Sequence, residues 1–234
     1  MPVVAVTVCP HPPILVPQVA AGAAPETGDL RAAAIAAVKS LADAEAVLMI
    51  GSGPTTGLEF GPGQTDLAAY GAREVDLGIE PDAPLSLLIG AWLLREAGIP
   101  VWSGLTVAAD AAPADCVELG QRLAADPRRL GLLVMGDGSA RQSEHAPAHL
   151  HPRAVAFDDA VASALATADT AVLDALDPFI AAEVQAAGRA PWQVLAGAAE
   201  GCEWDARLDY AAAPYGVAYF VARWSLSRAS IASA

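Results

Sequence analysis

The sequence predicts an α/β fold, with a mainly parallel central sheet, helices on both faces and an antiparallel pair of strands at the C-terminus. Three observations predict it. Short, almost wholly apolar segments recur along the chain, as is typical of strands buried on both faces. Longer segments with helical spacing of apolar residues separate them, and strands that alternate with helices pair in parallel. The last two strand-like segments have no helix between them, which favours an antiparallel pair.

The first two thirds of the chain supply the parallel part of the predicted sheet. Four apolar segments are predicted to be its strands: 3–8, 46–50, 99–107 and 130–136. Helices are predicted where apolar residues recur at every third or fourth position: 28–44, 83–98 and 112–126. Gly98 is suited to end the second of these helices, because glycine readily adopts the left-handed conformation of a helix C-cap.

The last third of the chain is richer in helix. Helical spacing predicts helices over 152–169 and 171–176. Asp177 followed by Pro178 is typical of a helix N-cap and first helical position, and Pro191 predicts the start of another helix over 191–201. Two strands, near 205–211 and 216–223, are predicted to close the chain. Because no linker-like segment or internal repeat interrupts the 234 residues, we expect a single domain over 1–234.

Composition excludes several classes of partner. The formal net charge is −14, and the basic residues form no cluster beyond Arg128 and Arg129, so nucleic acid is excluded as a main partner. The acidic balance disfavours anionic membranes, and no apolar run reaches the roughly 18 residues of a spanning helix. The N-terminus carries no basic residue before its apolar stretch, unlike a secretory signal. Cys9, Cys116 and Cys202 are odd in number and far apart, which favours a reducing cytoplasm.

Two long loops follow predicted strands, at 51–72 and 137–151, and His11 follows the first strand. Ligand sites in open α/β sheets form where strands end, so we expect these segments to converge. The stretch "GSGPTTG" (51–57) does not fit a phosphate loop, because no lysine follows its last glycine. Its glycine spacing also differs from that of dinucleotide-binding loops.

Three histidines lie in the second loop, at His145, His149 and His151. They could share one metal ion on a helix, but Pro147 argues against a regular helix, and a solvated loop is the favoured interpretation. Cys202 or Glu203 could complete a metal site with His11. The favoured alternative is a buried small residue followed by a surface carboxylate.

Four stretches occur in an order and spacing that resemble one known family. They are "PHPPILVPQV" (10–19), "MGDGSARQSEHAPAHLHPRAVAFDDAV" (135–161), "LDPFIAAEVQAAGRAPWQVLAGA" (176–198) and "YAAAPYGVAYFVA" (210–222). The chain resembles the class III extradiol ring-cleavage dioxygenase superfamily, which includes the large subunit of protocatechuate 4,5-dioxygenase and the Memo-like proteins. The likeness is strongest to its short, Ala-rich actinobacterial branch.

The resemblance implies an α/β core with a non-haem Fe(II) ion held by two histidines and a carboxylate. It implies ring cleavage of a catecholic substrate, with a further histidine that transfers protons, and homo-oligomers are common in the family. The facial ligand arrangement leaves positions open for substrate and O₂.

The site residues are transferred position by position. His11 stands where the family has its first histidine ligand. The second ligand is expected just after the second strand, where this chain has Ser52 among glycines and a proline. The proton-transfer histidine is expected in the motif that reads M-G-D-G-S-A-R at 135–141, where Ala140 takes its place. The resemblance thus implies His11 as a metal ligand, and Asp137, Ser139 and Arg141 as further catalytic positions.

Two functional hypotheses follow. In the first, the protein is an atypical or non-catalytic member that binds a small anion or a hydroxylated aromatic ring in a cleft. Its expected lining residues are His11, Ser52, Thr55, Asp137, Ser139 and Arg141. In the second, it is an active metal-dependent dioxygenase with rearranged ligands around His11. His145, Cys202 or Glu203 would then supply the missing groups.

Overall fold

A computed structural model describes residues 3–100 and 102–227. Its strands, in chain order, are β1 (Val3–Cys9), β2 (Ala46–Gly53), β3 (Glu59–Phe60), β4 (Asp66–Leu67), β5 (Ala72–Asp76), β6 (Trp102–Ala108), β7 (Leu130–Met135), β8 (Trp204–Ala212) and β9 (Tyr219–Leu226). Seven of them form one sheet in the order β3-β6-β2-β7-β1-β9-β8, and β4 pairs with β5 separately.

The centre of the sheet is parallel. Strands β6, β2, β7 and β1 are neighbours that run in the same direction. Strand β9 pairs antiparallel with β1, and β8 pairs antiparallel with β9. The predicted fold class, including the antiparallel C-terminal pair, is therefore confirmed. The four parallel strands end at the same edge of the sheet, here called the carboxyl edge.

Helices cover both faces of the sheet. They are α1 (Pro17–Ala20), α2 (Gly28–Lys39), α3 (Leu85–Ala97), α4 (Pro113–Ala124), α5 (Ala154–Thr167), α6 (Thr170–Asp174), α7 (Pro178–Glu183) and α8 (Arg189–Ala199). Helices α2 and α3 pack on one face and α4 to α8 on the other, each set burying its own apolar cluster against the strands. Within the described ranges, none of these helices has the length and apolar character needed to cross a bilayer.

Several boundaries differ from the sequence prediction. Helix α2 ends at Lys39 rather than at residue 44. Helix α8 begins at Arg189, two residues before Pro191, because proline is tolerated in a first turn whose N–H groups have no intrahelical acceptor. A turn closed by Gly216 donating to the Ala213 carbonyl delays β9 to Tyr219. The expected loop at 51–72 contains the short strands β3 and β4.

Helices α4 and α8 approach each other through two glycines. A Cβ atom on Gly120 of α4 would overlap the Val194 carbonyl oxygen and lie 2.6 Å from the Ala198 nitrogen, both in α8. A Cβ atom on Gly197 of α8 would overlap the Val117 carbonyl oxygen in α4. The two helix backbones are thus in direct contact. Every residue of α8 is buried, so this helix cannot relieve an overlap with α4 by shifting towards solvent.

Candidate functional site

His11 and Asp137 meet at the carboxyl edge because their strands are paired in register. Strands β1 and β7 are parallel neighbours whose last residues, Cys9 and Met135, are register partners. The N–H of Gly136 continues the ladder by donating to the Cys9 carbonyl at 2.9 Å. His11 and Asp137 each lie two residues beyond their strand, and so at the same level. This is the convergence that the sequence predicts for these two residues.

The His11–Asp137 pair is close and largely buried. The backbone N–H of His11 donates to Asp137 Oδ1 at 2.7 Å, and the imidazole Nδ1 lies 3.6 Å from the same oxygen. His11 is 8% exposed, and its buried Nδ1 has no hydrogen-bond partner among the described residues. Burial raises the pKa of the Asp137 carboxyl, although His11 partly offsets this through its charge and its N–H. An imidazole and a carboxyl group with a raised pKa are suited to exchange a proton with a ligand.

Tyr219, the first residue of β9, stands next to this pair. It is almost fully buried, and its burial, together with the charges of Asp137 and two other tyrosines, raises the pKa of its phenol. The hydroxyl therefore stays protonated at neutral pH and is a neutral group beside the Asp137 carboxyl. The sequence predicts Tyr219 in a strand but gives no sign of its nearness to Asp137.

Ser139 is held in the core rather than at an open surface. Its N–H donates to Asp158 Oδ1 at 2.8 Å and its hydroxyl donates to Asp158 Oδ2, which also accepts from Gln142 Nε2 at 2.7 Å. Burial raises the pKa of Asp158, and these donors partly offset the effect. The network fastens the start of the 137–151 loop to α5. The sequence alone does not single out Asp158, although it shares the buried face of α5 with Ala154 and Val161.

Arg141 also serves to fix the loop. Its Nε donates to the His149 carbonyl at 2.7 Å, and its Nη1 donates to the Glu183 carbonyl at 2.8 Å. The guanidinium thus connects two parts of the 137–151 loop to the end of α7. Thr55, which was expected beside it in the cleft, is exposed, and its carbonyl accepts from the Thr106 hydroxyl at 2.7 Å.

The two remaining positions implied by the resemblance carry no metal-binding or proton-transferring group. The Ser52 hydroxyl, at the second-ligand position, donates to the Ala187 carbonyl at 2.5 Å. Ala140, at the proton-transfer position, offers a methyl group, and its N–H donates to the Val184 carbonyl at 3.0 Å. Both positions contribute to packing the α7–α8 region against the carboxyl edge.

The side chains present do not fit the iron site that the resemblance implies. His11 and Asp137 supply one histidine and one carboxylate, and nowhere in residues 3–100 and 102–227 do three His, Cys, Asp or Glu side chains come close enough to share an ion. Cys202 and Glu203 immediately precede β8, whose first residue pairs with the last residue of β9. They are therefore level with the start of β1, at least roughly 25 Å from His11 at about 3.3 Å per residue.

His145 is at the carboxyl edge but is exposed. It lines a depression beside the turn between β8 and β9, together with Glu144 and Tyr215. The 137–151 segment has no regular helix, as the presence of Pro147 predicts. The three loop histidines do not form a metal site with another described residue.

A cavity of about 530 Å³ opens at the same edge, between α7 and the end of β6. It is called the α7 cavity here, and its lining residues are Ala109, Asp110, Pro178, Phe179, Ala181, Ala182, Gln185, Ala186, Ala187 and Arg189. Ala187 is the residue whose carbonyl accepts from Ser52, which links the cavity wall to the end of β2. Its volume lies in the range typical of small-molecule sites.

No family model and no curated protein matches this sequence. A solved structure with the same architecture is the crystal structure of the uncharacterized protein JW3007 from Escherichia coli K12. The two chains are 13% identical, and the match covers 95% of this chain and 99% of that chain with a TM-score of 0.56. At this level of identity the likeness concerns the fold alone.

Proposed function

We propose that the protein is an atypical, non-catalytic relative of the class III extradiol dioxygenases that binds a small molecule at the carboxyl edge of its sheet. One observation carries the proposal. Among the described residues, the histidine at the family's first ligand position has one acidic side chain within 4 Å, Asp137, whose Oδ1 lies 3.6 Å from its Nδ1. The positions of the second ligand and the proton-transfer residue hold Ser52 and Ala140, which cannot replace histidine in either role.

The donor set explains why ring cleavage is not the favoured function. A ferrous site of this kind needs two histidines and a carboxylate on one face of the ion. With one histidine and one carboxylate as its protein ligands, a ferrous ion would bind weakly, because water would compete with them for the ion. Removal of a proton-transferring residue alone typically lowers the rate by about 10²–10⁴-fold. The chain lacks both groups at the expected positions, so ring cleavage would require two separate replacements.

The same pair is well suited to binding. A hydroxylated aromatic ring or a small anion can exchange hydrogen bonds with the His11 imidazole, and Asp137 fixes the position of the His11 backbone by accepting from its N–H. Burial strengthens these hydrogen bonds, because the surrounding dielectric constant is low. His11 is the ligand-binding residue in this proposal, and Asp137 is the positioning residue.

A metal-dependent dioxygenase with rearranged ligands is the second candidate. It is favoured by the buried Nδ1 of His11, which has no partner among the described residues and lies close to a carboxylate. Nδ1 and Asp137 could be two ligands of one ion if a third group moved towards them.

One experiment separates the two candidates. The protein is purified anaerobically, its iron and zinc are measured, and oxygen uptake is followed with catechol and protocatechuate. Catechol binding is measured by calorimetry for the wild type and for His11→Ala, with His145→Ala as a matched control in an exposed loop. We expect metal well below one ion per chain, no oxygen uptake, and catechol binding that only His11→Ala abolishes. Stoichiometric iron and oxygen uptake, both lost in His11→Ala, would establish the dioxygenase instead.

A further inference from the structure

Arg189 is a buried cation whose hydrogen bonds all go to neutral groups. It is 2% exposed and stands at the first position of α8. Nη1 donates to the Ala111 carbonyl at 2.6 Å and to Gln193 Oε1 at 2.8 Å, and Nη2 donates to the Ala109 carbonyl at 2.6 Å. The buried Nε has no partner among the described residues. Since a guanidinium has five N–H donors, part of its hydrogen-bonding capacity is unused.

No described residue neutralises this charge by direct contact. Arg189 forms no ion pair within residues 3–100 and 102–227, and the nearby Cys116 is a thiol whose pKa burial raises, so it stays uncharged at neutral pH. Asp110 contributes a favourable charge from the exposed rim of the cavity, and burial nevertheless lowers the pKa of Arg189. Buried charges in proteins are normally paired, because an unpaired charge in a low dielectric is costly.

The start of α8 adds to the positive potential at this point. Ala186, Ala187 and Arg189 all line the α7 cavity, so the N-terminus of the helix borders it. No side chain caps that terminus, and the N–H groups of Arg189 and Ala190 lack intrahelical acceptors, while Pro191 has no N–H. The partial positive charge of a helix N-terminus favours anions. In a chain of net charge −14, this is a local site of the opposite sign.

Apart from Asp110 and Gln185, the rest of the α7 cavity is apolar. Five alanines and Pro178 form most of its wall, and Phe179 at its rim is 83% exposed. An exposed phenylalanine is unfavourable in water, and it would lose that exposure against an apolar ligand. A ring that enters the cavity would therefore pack between Phe179 and the alanines while its polar group approached Arg189.

We propose that the α7 cavity binds a small aromatic carboxylate, with the ring against Phe179 and the carboxylate as the counter-ion of Arg189. This inference goes beyond the proposed function, because neither His11 nor Asp137 lines the α7 cavity; it rests on the proposed function only for the assignment of the carboxyl edge as the ligand-binding edge. It assigns a chemical class to the ligand of the cavity, and it assigns Phe179 and Arg189 as the residues that recognise the ring and the carboxylate. The unpartnered Nε and the remaining N–H of Nη2 are the donors left for the carboxylate, and the charge of that pair accounts for the preference over a neutral ring.

The test varies the charge on the ligand, because Arg189 also holds two backbone carbonyls and its replacement would disturb the fold. Binding of 2-naphthoate and of 2-naphthamide, which has the same ring system without the charge, is measured by calorimetry and by ligand-observed NMR. We expect 2-naphthoate to bind at least tenfold more tightly than 2-naphthamide. Raising the salt concentration should reduce that difference only slightly, because a buried ion pair is weakly screened.

Two variants locate the binding site. Ala182→Leu fills the cavity from an exposed position on α7 and should weaken 2-naphthoate binding at least tenfold. Ala156→Leu is the matched control, since Ala156 is an exposed alanine of α5 outside the cavity. Phe179→Ala should weaken binding several-fold, whereas Val155→Ala, at another exposed apolar side chain, should leave it unchanged.

Three results would overturn the inference. They are equal affinity for the charged and neutral ligands, unchanged binding in Ala182→Leu, and a dimer that Phe179→Ala converts to a monomer. The third would make the cavity a self-association surface. A failure of the proposed function has a different signature, which is iron uptake and oxygen consumption that depend on His11. Binding of 2-naphthoate that survives in His11→Ala and is lost in Ala182→Leu supports the cavity whatever the metal analysis finds.

Discussion

Replacing Gly120 by alanine should strongly destabilise the protein, although alanine is the better helix former. The helix propensity alone predicts a gain of about 1 kcal/mol. The added Cβ, however, would overlap the Val194 carbonyl oxygen and come within 2.6 Å of the Ala198 nitrogen. Both are backbone atoms of α8, which cannot turn aside as a side chain does. Overpacking of a filled core costs about 1–3 kcal/mol and sometimes more, and overlap with backbone atoms places this case at the upper end. After the propensity gain of about 1 kcal/mol is subtracted, we expect a net loss of about 2 kcal/mol in the free energy of unfolding.

The assay is urea unfolding followed by far-ultraviolet circular dichroism, with Gly28→Ala as the control. Gly28 is the first residue of α2, and a Cβ there would meet no atom within 4 Å. This control should therefore be as stable as the wild type or up to about 1 kcal/mol more stable. If Gly120→Ala is no less stable than the wild type, α4 and α8 do not have the direct backbone contact from which the loss is reasoned.

Three further predictions concern the candidate site. Burial raises the pKa of Asp137 above its unfolded value near 4, so the folded state loses stability as the pH rises from about 4 through the raised pKa. In urea unfolding, Asp137→Asn should therefore be more stable than the wild type at pH 8, and the difference between them should be smaller at pH 4. Asp177→Ala removes the N-cap that accepts from Phe179 N at 2.7 Å. It should lower the free energy of unfolding by about 1 kcal/mol and weaken 2-naphthoate binding. If stability and affinity are both unchanged, α7 is not a wall of the cavity. Ser139→Ala deprives the buried Asp158 of one donor and should cost about 1–3 kcal/mol by the same assay, and a loss below about 0.5 kcal/mol would be inconsistent with this network.

The sequence predicted the fold well because its main signals are local. The apolar strands and the helical spacing depend on which residues follow one another, and almost every long element appears within a few residues of its expected place. The Asp177–Pro178 signal was confirmed in detail, since the Asp177 carboxylate accepts from two N–H groups of the first turn of α7. The order of strands in the sheet was not predicted, because it depends on pairings between distant segments.

The candidate site was predicted only where strand ends define it. His11 and Asp137 are predicted to converge because each follows a strand. The buried state of Ser139 depends instead on Asp158, which lies in a helix that no local signal connects with the loop. Arg189 was missed for a related reason. It is a single cation in an otherwise apolar stretch before Pro191, and that signal predicts an unusual environment without indicating which carbonyls or which cavity surround it.

His11 and Asp137 each lie two residues beyond one strand of a hydrogen-bonded pair, so the pairing of β1 with β7 sets the distance between them. Neighbouring strands are about 4.8 Å apart, and that spacing is set by backbone hydrogen bonds shared by the whole sheet. Loops at the same edge can therefore lengthen, shorten or change sequence without separating the two side chains. A one-residue deletion between Cys9 and His11 would instead turn the imidazole to the other face of the sheet and remove it from Asp137. Changes in the loops at this edge can therefore alter which ligand the protein binds, while His11 and Asp137 keep their positions.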